Sequence, residues 1–140
     1  MLSHPDVVLV EDDAAMRAAI ERILSGAGHV VRAFASAEAL VQFLQGGPLW
    51  SSVRCVVSDV RLPGACGFEL QRQVAAHAPA PAWIFITAHD DPALRRAAER
   101  AHAGYLAKPF EGRVLLEVVE RAMAPADLPQ GATRATPKAN

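Results

Sequence analysis

The sequence predicts a doubly wound α/β fold built on a five-stranded parallel sheet. Most of five short apolar runs are continuous rather than alternating, which is how strands buried on both faces read. Longer segments of helical period separate them, and capping residues stand at the joins. Repeated strand–helix units imply right-handed crossovers and a parallel sheet covered on both sides.

The first strand is "DVVLV", residues 6–10. A helix over Ala14–Ser25 follows, with Met16, Ile20, Ile23 and Leu24 at helical spacing and Arg17, Glu21 and Arg22 opposite; Gly26 and Gly28 stop it. The second strand is "HVVRAF" (29–34), after which Ser36 caps a helix running to Gln45. "VRCVVS" (53–58) is the third strand, and the chain turns at Pro63 and Gly64 before a helix over Phe68–His77. "WIFIT" (83–87) is the fourth, with Asp91 and Pro92 as cap and first position of a helix to Ala101. The fifth, "GYLA" (104–107), precedes a helix over Glu111–Met123. Residues 1–124 therefore read as one domain. Residues 125–140 are rich in Pro, Ala and Thr and lack a period, so they read as a tail or interdomain linker.

Composition narrows the function classes. A chain of 140 residues, 51% hydrophobic with a net charge of −1, suits one packed core rather than disorder. No basic run or stripe is present, so direct nucleic-acid binding by this segment is not expected. The apolar runs are too short to cross a bilayer, and the acidic N-terminus is unlike a signal peptide. A cytoplasmic location is the expectation. Cys55 and Cys66 have no paired or metal-like spacing and read as free thiols. His4, His29, His77 and His102 likewise show no ligand spacing.

Parallel α/β sheets bind ligands outside the carboxyl ends of their strands. Glu11, Asp12 and Asp13 follow the first strand, Asp59 the third, Thr87 ends the fourth, and Lys108–Pro109 follows the fifth. Each residue has a structural explanation taken alone. Asp12 or Asp13 can cap a helix, Asp59 can form a turn, Thr87 suits a strand and Lys108 a surface. A shared site explains all the strand ends together. Clustered carboxylates need a cation, and hard oxygen ligands without Cys or His suit magnesium. Phosphoryl transfer is mostly positioning plus stabilisation of oxygen charge, which a metal, an ammonium and a hydroxyl can supply, and a carboxylate can serve as its nucleophile.

With these residues assembled, the stretch from about Asp6 to Met123 resembles the receiver domain of bacterial response regulators. The residues that carry the likeness are Asp12–Asp13, Asp59 with "RLPG", Thr87–Ala88 and "YLAKPF". "SAEAL", "SDVRLPG" and "KPF" look most like the FixJ-type subgroup. The resemblance implies a CheY-like, flavodoxin-like (βα)5 fold with strand order 2-1-3-4-5. It implies that Asp59 accepts a phosphoryl group from a sensor histidine kinase or phosphotransfer protein, with Thr87 and Lys108 assisting. Asp12, Asp13, Asp59 and the backbone carbonyl of Arg61 would hold Mg2+ or Mn2+, Asp12 through water. The Lys108–Pro109 bond would be cis, and Thr87 and Tyr105 would act as the switch pair. Tyr105 also suits a plain half-buried strand aromatic. His89 and Arg61 would occupy the rim, where they tune phosphoryl lifetime or are simply solvated.

There are two departures from the family's usual pattern. Ala101–His102 stands where Gly-Ala is common, and Glu11 adds a third acid that should strengthen cation attraction. Phosphorylation would reshape the face of the fourth helix, fifth strand and fifth helix, including Arg95, Arg96, Glu99, Tyr105 and Glu117, for a partner or a second copy. The expected role is a phosphoacceptor signalling domain rather than an enzyme, either standing alone or preceding a DNA-binding output domain. A rival is an aspartate-nucleophile phosphatase of haloacid dehalogenase type. That class places Asp-x-Asp after its first strand, where this chain has Glu-Asp-Asp. A degenerate receiver that only binds a partner is a third reading, and the full set of acids, Thr and Lys argues against it.

Overall fold

The computed structural model describes residues 4–46, 48–77 and 80–124; the tail expected over 125–140 lies outside the described residues. Val7–Val10 (β1) and Cys55–Asp59 (β3) are buried along their whole length. They occupy the middle of a parallel sheet, flanked by Val31–Phe34 (β2) on one side and by Ala82–Thr87 (β4) and Gly104–Ala107 (β5) on the other. The order is β2-β1-β3-β4-β5, the predicted 2-1-3-4-5. The continuous apolar runs describe β1, β3 and most of β4. The edge strands are more mixed because only one neighbour and part of each face cover them: β2 exposes Arg32, and β5 is half-buried throughout.

The helices among the described residues are Ala14–Gly26 (α1), Ala37–Gln45 (α2), Gly67–Val74 (α3), Pro92–Arg100 (α4) and Gly112–Met123 (α5). Ile20 and Leu24 of α1 join Leu115 and Val119 of α5 against Val7, Leu9, Val57, Ile84 and Ile86. Leu40 and Leu44 of α2, Leu70 and Val74 of α3 and Ala98 of α4 cover the other face, against Val8, Val10, Val56 and Phe85. Burying a side chain of this size contributes roughly 2 kcal/mol. Asp13, Ser36 and Asp91 cap α1, α2 and α4 with their side chains, as their residue types predict. No helix among the described residues is long and apolar enough to cross a membrane.

Three local features depart from the expected elements. The third helix stops at Val74 rather than His77, because Ala76 and His77 donate to carbonyls three residues back and tighten the last turn. A 3-10 turn spans Pro48–Ser52. The turn after β3 is a two-residue antiparallel ribbon pairing Arg61 with Cys66 and Leu62 with Ala65. Pro63 and Gly64 form its tip, Gly64 at a φ of 68° that L-residues avoid.

Candidate functional site

Strand register sets which side chains meet at the carboxyl edge. Val10 lies level with Ser58, Asp59 with Ile86, and Thr87 with Ala107. Glu11, Asp59, Thr87 and Lys108 are therefore neighbours across four adjacent strands. Alternation then divides them. Glu11, Asp59 and Lys108 follow the parity of Leu9, Val57 and Leu106, which face α1 and α5. Thr87 and Tyr105 follow that of Phe85, toward α4.

The first group forms one charged cluster. The Lys108 ammonium donates to Glu11 Oε1 at 2.7 Å and to Asp59 Oδ2 at 2.9 Å. Glu11 is 1% exposed and Asp59 7%, so both carboxylates are largely withdrawn from water. Glu11 Oε2 accepts from the Asp13 backbone N–H at 3.1 Å, and Asp59 Oδ1 from the Arg61 N–H at 3.3 Å. Burial, and then the charge of Asp59, push the Glu11 carboxyl above its ordinary range against the pull of Lys108 and the Asp13 N–H. Burial alone would lower the Lys108 ammonium, but its hydrogen bonds to Glu11 and Asp59 outweigh that and hold it above the usual lysine value. The ammonium remains charged throughout the neutral range.

Backbone geometry fixes Asp59. The Gly67 N–H donates to the Val60 carbonyl at 2.7 Å, and a Cβ at Gly67 would lie 2.5 Å from the Asp59 carbonyl oxygen. Only glycine allows α3 to begin this close to the strand end. On the neighbouring loop, the Arg17 guanidinium donates to the carbonyls of Glu11 and Asp12 at 2.9 and 3.4 Å. At the far strand, Lys108 N–H donates to the Thr87 carbonyl at 2.8 Å, and the Lys108–Pro109 bond is cis.

Oxygens of Glu11, Asp12 and Asp59 come within 4.8 Å of one another. Asp13, expected beside Asp12 and Asp59, is not in this group. Its carboxylate accepts from Met16 N–H at 2.9 Å and caps α1, so Glu11 stands where Asp13 was expected. The acid next to the first helical turn serves the helix. An oxygen-only donor set without His or Cys fits a hard divalent cation such as Mg2+.

Thr87 is buried, and its hydroxyl accepts from the His89 N–H at 3.0 Å. Tyr105 is half-buried and reaches Asp90 at 3.1 Å, outside the acidic cluster. Arg61 and His89 are exposed, and Cys66 is half-buried on the ribbon. His102 is exposed at the end of α4 with a φ of 56°. Sequence reasoning did not find Arg17, Gly67, or the Asp90–Arg95 ion pair described below.

Residues 7–120 match the family model of the response regulator receiver domain. The chain belongs to that family. The transcriptional regulatory protein FixJ of Bradyrhizobium diazoefficiens is 36% identical over 128 residues, covering 91% of this chain and 60% of that protein. Nodulation protein W of the same organism is 37% identical over 117 residues, covering 81% and 48%. The chain thus spans about half to three fifths of these relatives, and the FixJ-type likeness agrees with them. A response regulator receiver protein from Burkholderia phymatum has a similar structure, with a TM-score of 0.74 and 38% identity, covering 85% of this chain and 94% of that one. Receivers are signalling domains of phosphorelays, loaded by histidine kinases and supplied with an acidic magnesium pocket.

Proposed function

We propose that this receiver takes a phosphoryl group onto Asp59 in a Mg2+-dependent reaction and thereby switches the face formed by α4, β5 and α5. The observation that carries the reading is the Lys108 ammonium lying 2.9 Å from Asp59, with the carboxylates of Glu11 and Asp12 in the same cluster. An Asp59 carboxylate oxygen attacks phosphorus of the kinase phosphohistidine. The O–P bond forms as the P–N bond breaks, and the bonding pair returns to the imidazole nitrogen, which takes up a proton. Bound Mg2+ would neutralise charge on the phosphoryl oxygens. Asp12, Asp59, Glu11 and the Arg61 carbonyl are the groups to hold it. Lys108 stays charged and follows the phosphoryl oxygens, and Thr87 exchanges its His89 partner for one of them.

The partner is a sensor histidine kinase or phosphotransfer protein. The switched face, with Arg95, Arg96, Glu99, Tyr105 and Glu117, docks an output domain or a second copy through α4, β5 and α5. The reaction modifies the receiver itself, so its product is a signal rather than a turnover. Acetyl phosphate with Mg2+ should add one phosphoryl group detectable by intact-mass spectrometry, and Asp59→Asn should abolish it. Unchanged labelling of Asp59→Asn would remove Asp59 as acceptor. Labelling that survives chelation of divalent cations would remove the metal.

A further inference from the structure

The loop joining β4 to α4 carries an ion pair that the phosphoryl chemistry does not use. Arg95 grips Asp90 with both prongs, Nε to Oδ1 at 2.9 Å and Nη2 to Oδ2 at 2.8 Å. Asp90 Oδ1 also accepts from the Tyr105 hydroxyl at 3.1 Å, and that hydroxyl accepts from the Asp91 N–H at 3.3 Å. The Arg95 guanidinium carbon sits 4.8 Å from the centroid of the Tyr105 ring. One phenol is thus held as donor, as acceptor and across its ring face by three residues of one short segment.

The other end of that segment is tied to Thr87, whose hydroxyl accepts from His89 N–H at 3.0 Å. Asp91 anchors the segment onto α4, accepting from Ala93 N–H at 2.8 Å. The β4–α4 loop therefore has a grip on both residues assigned to the switch. Turning Tyr105 toward Thr87 requires the hydroxyl to leave Asp90 and Asp91 and the ring to slide from under Arg95.

We propose that Asp90 and Arg95 form a latch that holds Tyr105 outward and sets the resting balance of the switch. The inference rests on the phosphoacceptor reading above and adds its regulation. Asp90 is kept ionised by the Arg95 hydrogen bonds, which hold its carboxyl below the ordinary range. The ion pair is half-exposed, so the latch is weak enough for phosphorylation to open. An exposed fork-type pair plus a cation–π contact biases a two-state equilibrium by roughly three- to tenfold. Such a bias keeps the unphosphorylated receiver quiet without locking it.

Tyr105 is the single tyrosine of the chain, so 3-fluorotyrosine labelling gives one 19F resonance from this ring. Wild-type protein without and with beryllofluoride and Mg2+ supplies the two end positions. Arg95→Ala and Asp90→Ala, without beryllofluoride, should move the resonance toward the loaded position. Both should also lower the beryllofluoride midpoint by roughly three- to tenfold. Arg95→Lys, which keeps charge but loses the fork, should fall between, and Arg22→Ala, at an exposed position of α1 outside the switched face, should behave as wild type. If beryllofluoride shifts wild type while Arg95→Ala and Asp90→Ala keep its resting position and midpoint, the latch is wrong and the phosphoacceptor reading stands. If wild type itself does not respond, the phosphoacceptor reading falls and takes the latch with it.

Discussion

Replacing Lys108 by methionine removes one charge and leaves a side chain of similar reach. In the intact protein this ammonium bridges two carboxylates that are nearly sealed from water. Carboxylate oxygens of Glu11 and Asp59 lie within 4.8 Å, and two unit charges at that separation repel by about 3.5 kcal/mol at an effective dielectric constant of about 20. Breaking a buried pair by removing one partner costs about 3–5 kcal/mol, and the exposed Asp12 shows that water reaches one side. A loss of about 3 kcal/mol at pH 7.5 is expected. Glu11 can relieve the strain by taking a proton. Its carboxyl already titrates above the ordinary value of 4.5, and loss of Lys108 raises it further. A raised carboxyl contributes stability below its unfolded pKa and loses it as pH rises through the folded one. The deficit of Lys108→Met should therefore shrink at pH 5 and be reduced by millimolar Mg2+ at pH 7.5. Urea denaturation followed through the buried Trp50 and Trp83 reads all three conditions. A deficit under about 1 kcal/mol, or one that is the same at both pH values, would refute the account of the cluster.

Gly67→Ala places a methyl 2.5 Å from the Asp59 carbonyl and 3.2 Å from the Phe85 ring. That ring is itself packed 4.3 Å from Phe68, so the strand end must move; about 2–3 kcal/mol of stability should go, together with most of the phosphorylation rate by acetyl phosphate. His102→Gly should stabilise: the left-handed φ of 56° costs a non-glycine residue about 1–2 kcal/mol, partly offset by glycine's greater unfolded freedom. A rise in Tm of about 2–4 °C is expected by calorimetry, and a fall would show that the His102 side chain contributes more than its backbone costs. Cys55 is sealed in the core, and burial, with a smaller push from Asp6, raises its thiol from 9.0 to about 12. Stability from this group is intact below pH 9.0 and drains away toward pH 12, at about 1.4 kcal/mol per unit. Cys55→Ala should lower stability at pH 8 by its cavity but lack that alkaline slope in urea titrations between pH 8 and 10.5.

Most of the fold was legible because buried parallel strands leave a plain mark. "VVLV" and "CVV" have no polar interruption, and the caps Ser36 and Asp91 punctuate the helices as their chemistry demands. The ribbon at Arg61–Leu62 and Ala65–Cys66 was not legible, since two-residue strands are too short to show a period. The Asp90–Arg95–Tyr105 contact joins an irregular loop to β5 across the whole of α4, fifteen residues from Asp90 to Tyr105, where no spacing rule reaches.

The acid triplet is the instructive case. Spacing alone cannot phase Glu11, Asp12 and Asp13, because a strand end is uncertain by a residue or two. Two rules taken together can. The helix takes its nearest acid as an N-cap, which assigns Asp13 to α1. Strand alternation carries the parity of Leu9 into Glu11, that of Val57 into Asp59 and that of Leu106 into Lys108, all toward α1 and α5. The same parity sends Thr87 after Phe85 and sets Tyr105 on the opposite face, beside α4. The charged cluster and the proposed switch pair thus belong to different faces of one sheet. A signal made at Asp59, the proposed acceptor, would have to cross from one to the other at the end of β4, and the β4–α4 loop is the segment that holds both Thr87 and Tyr105.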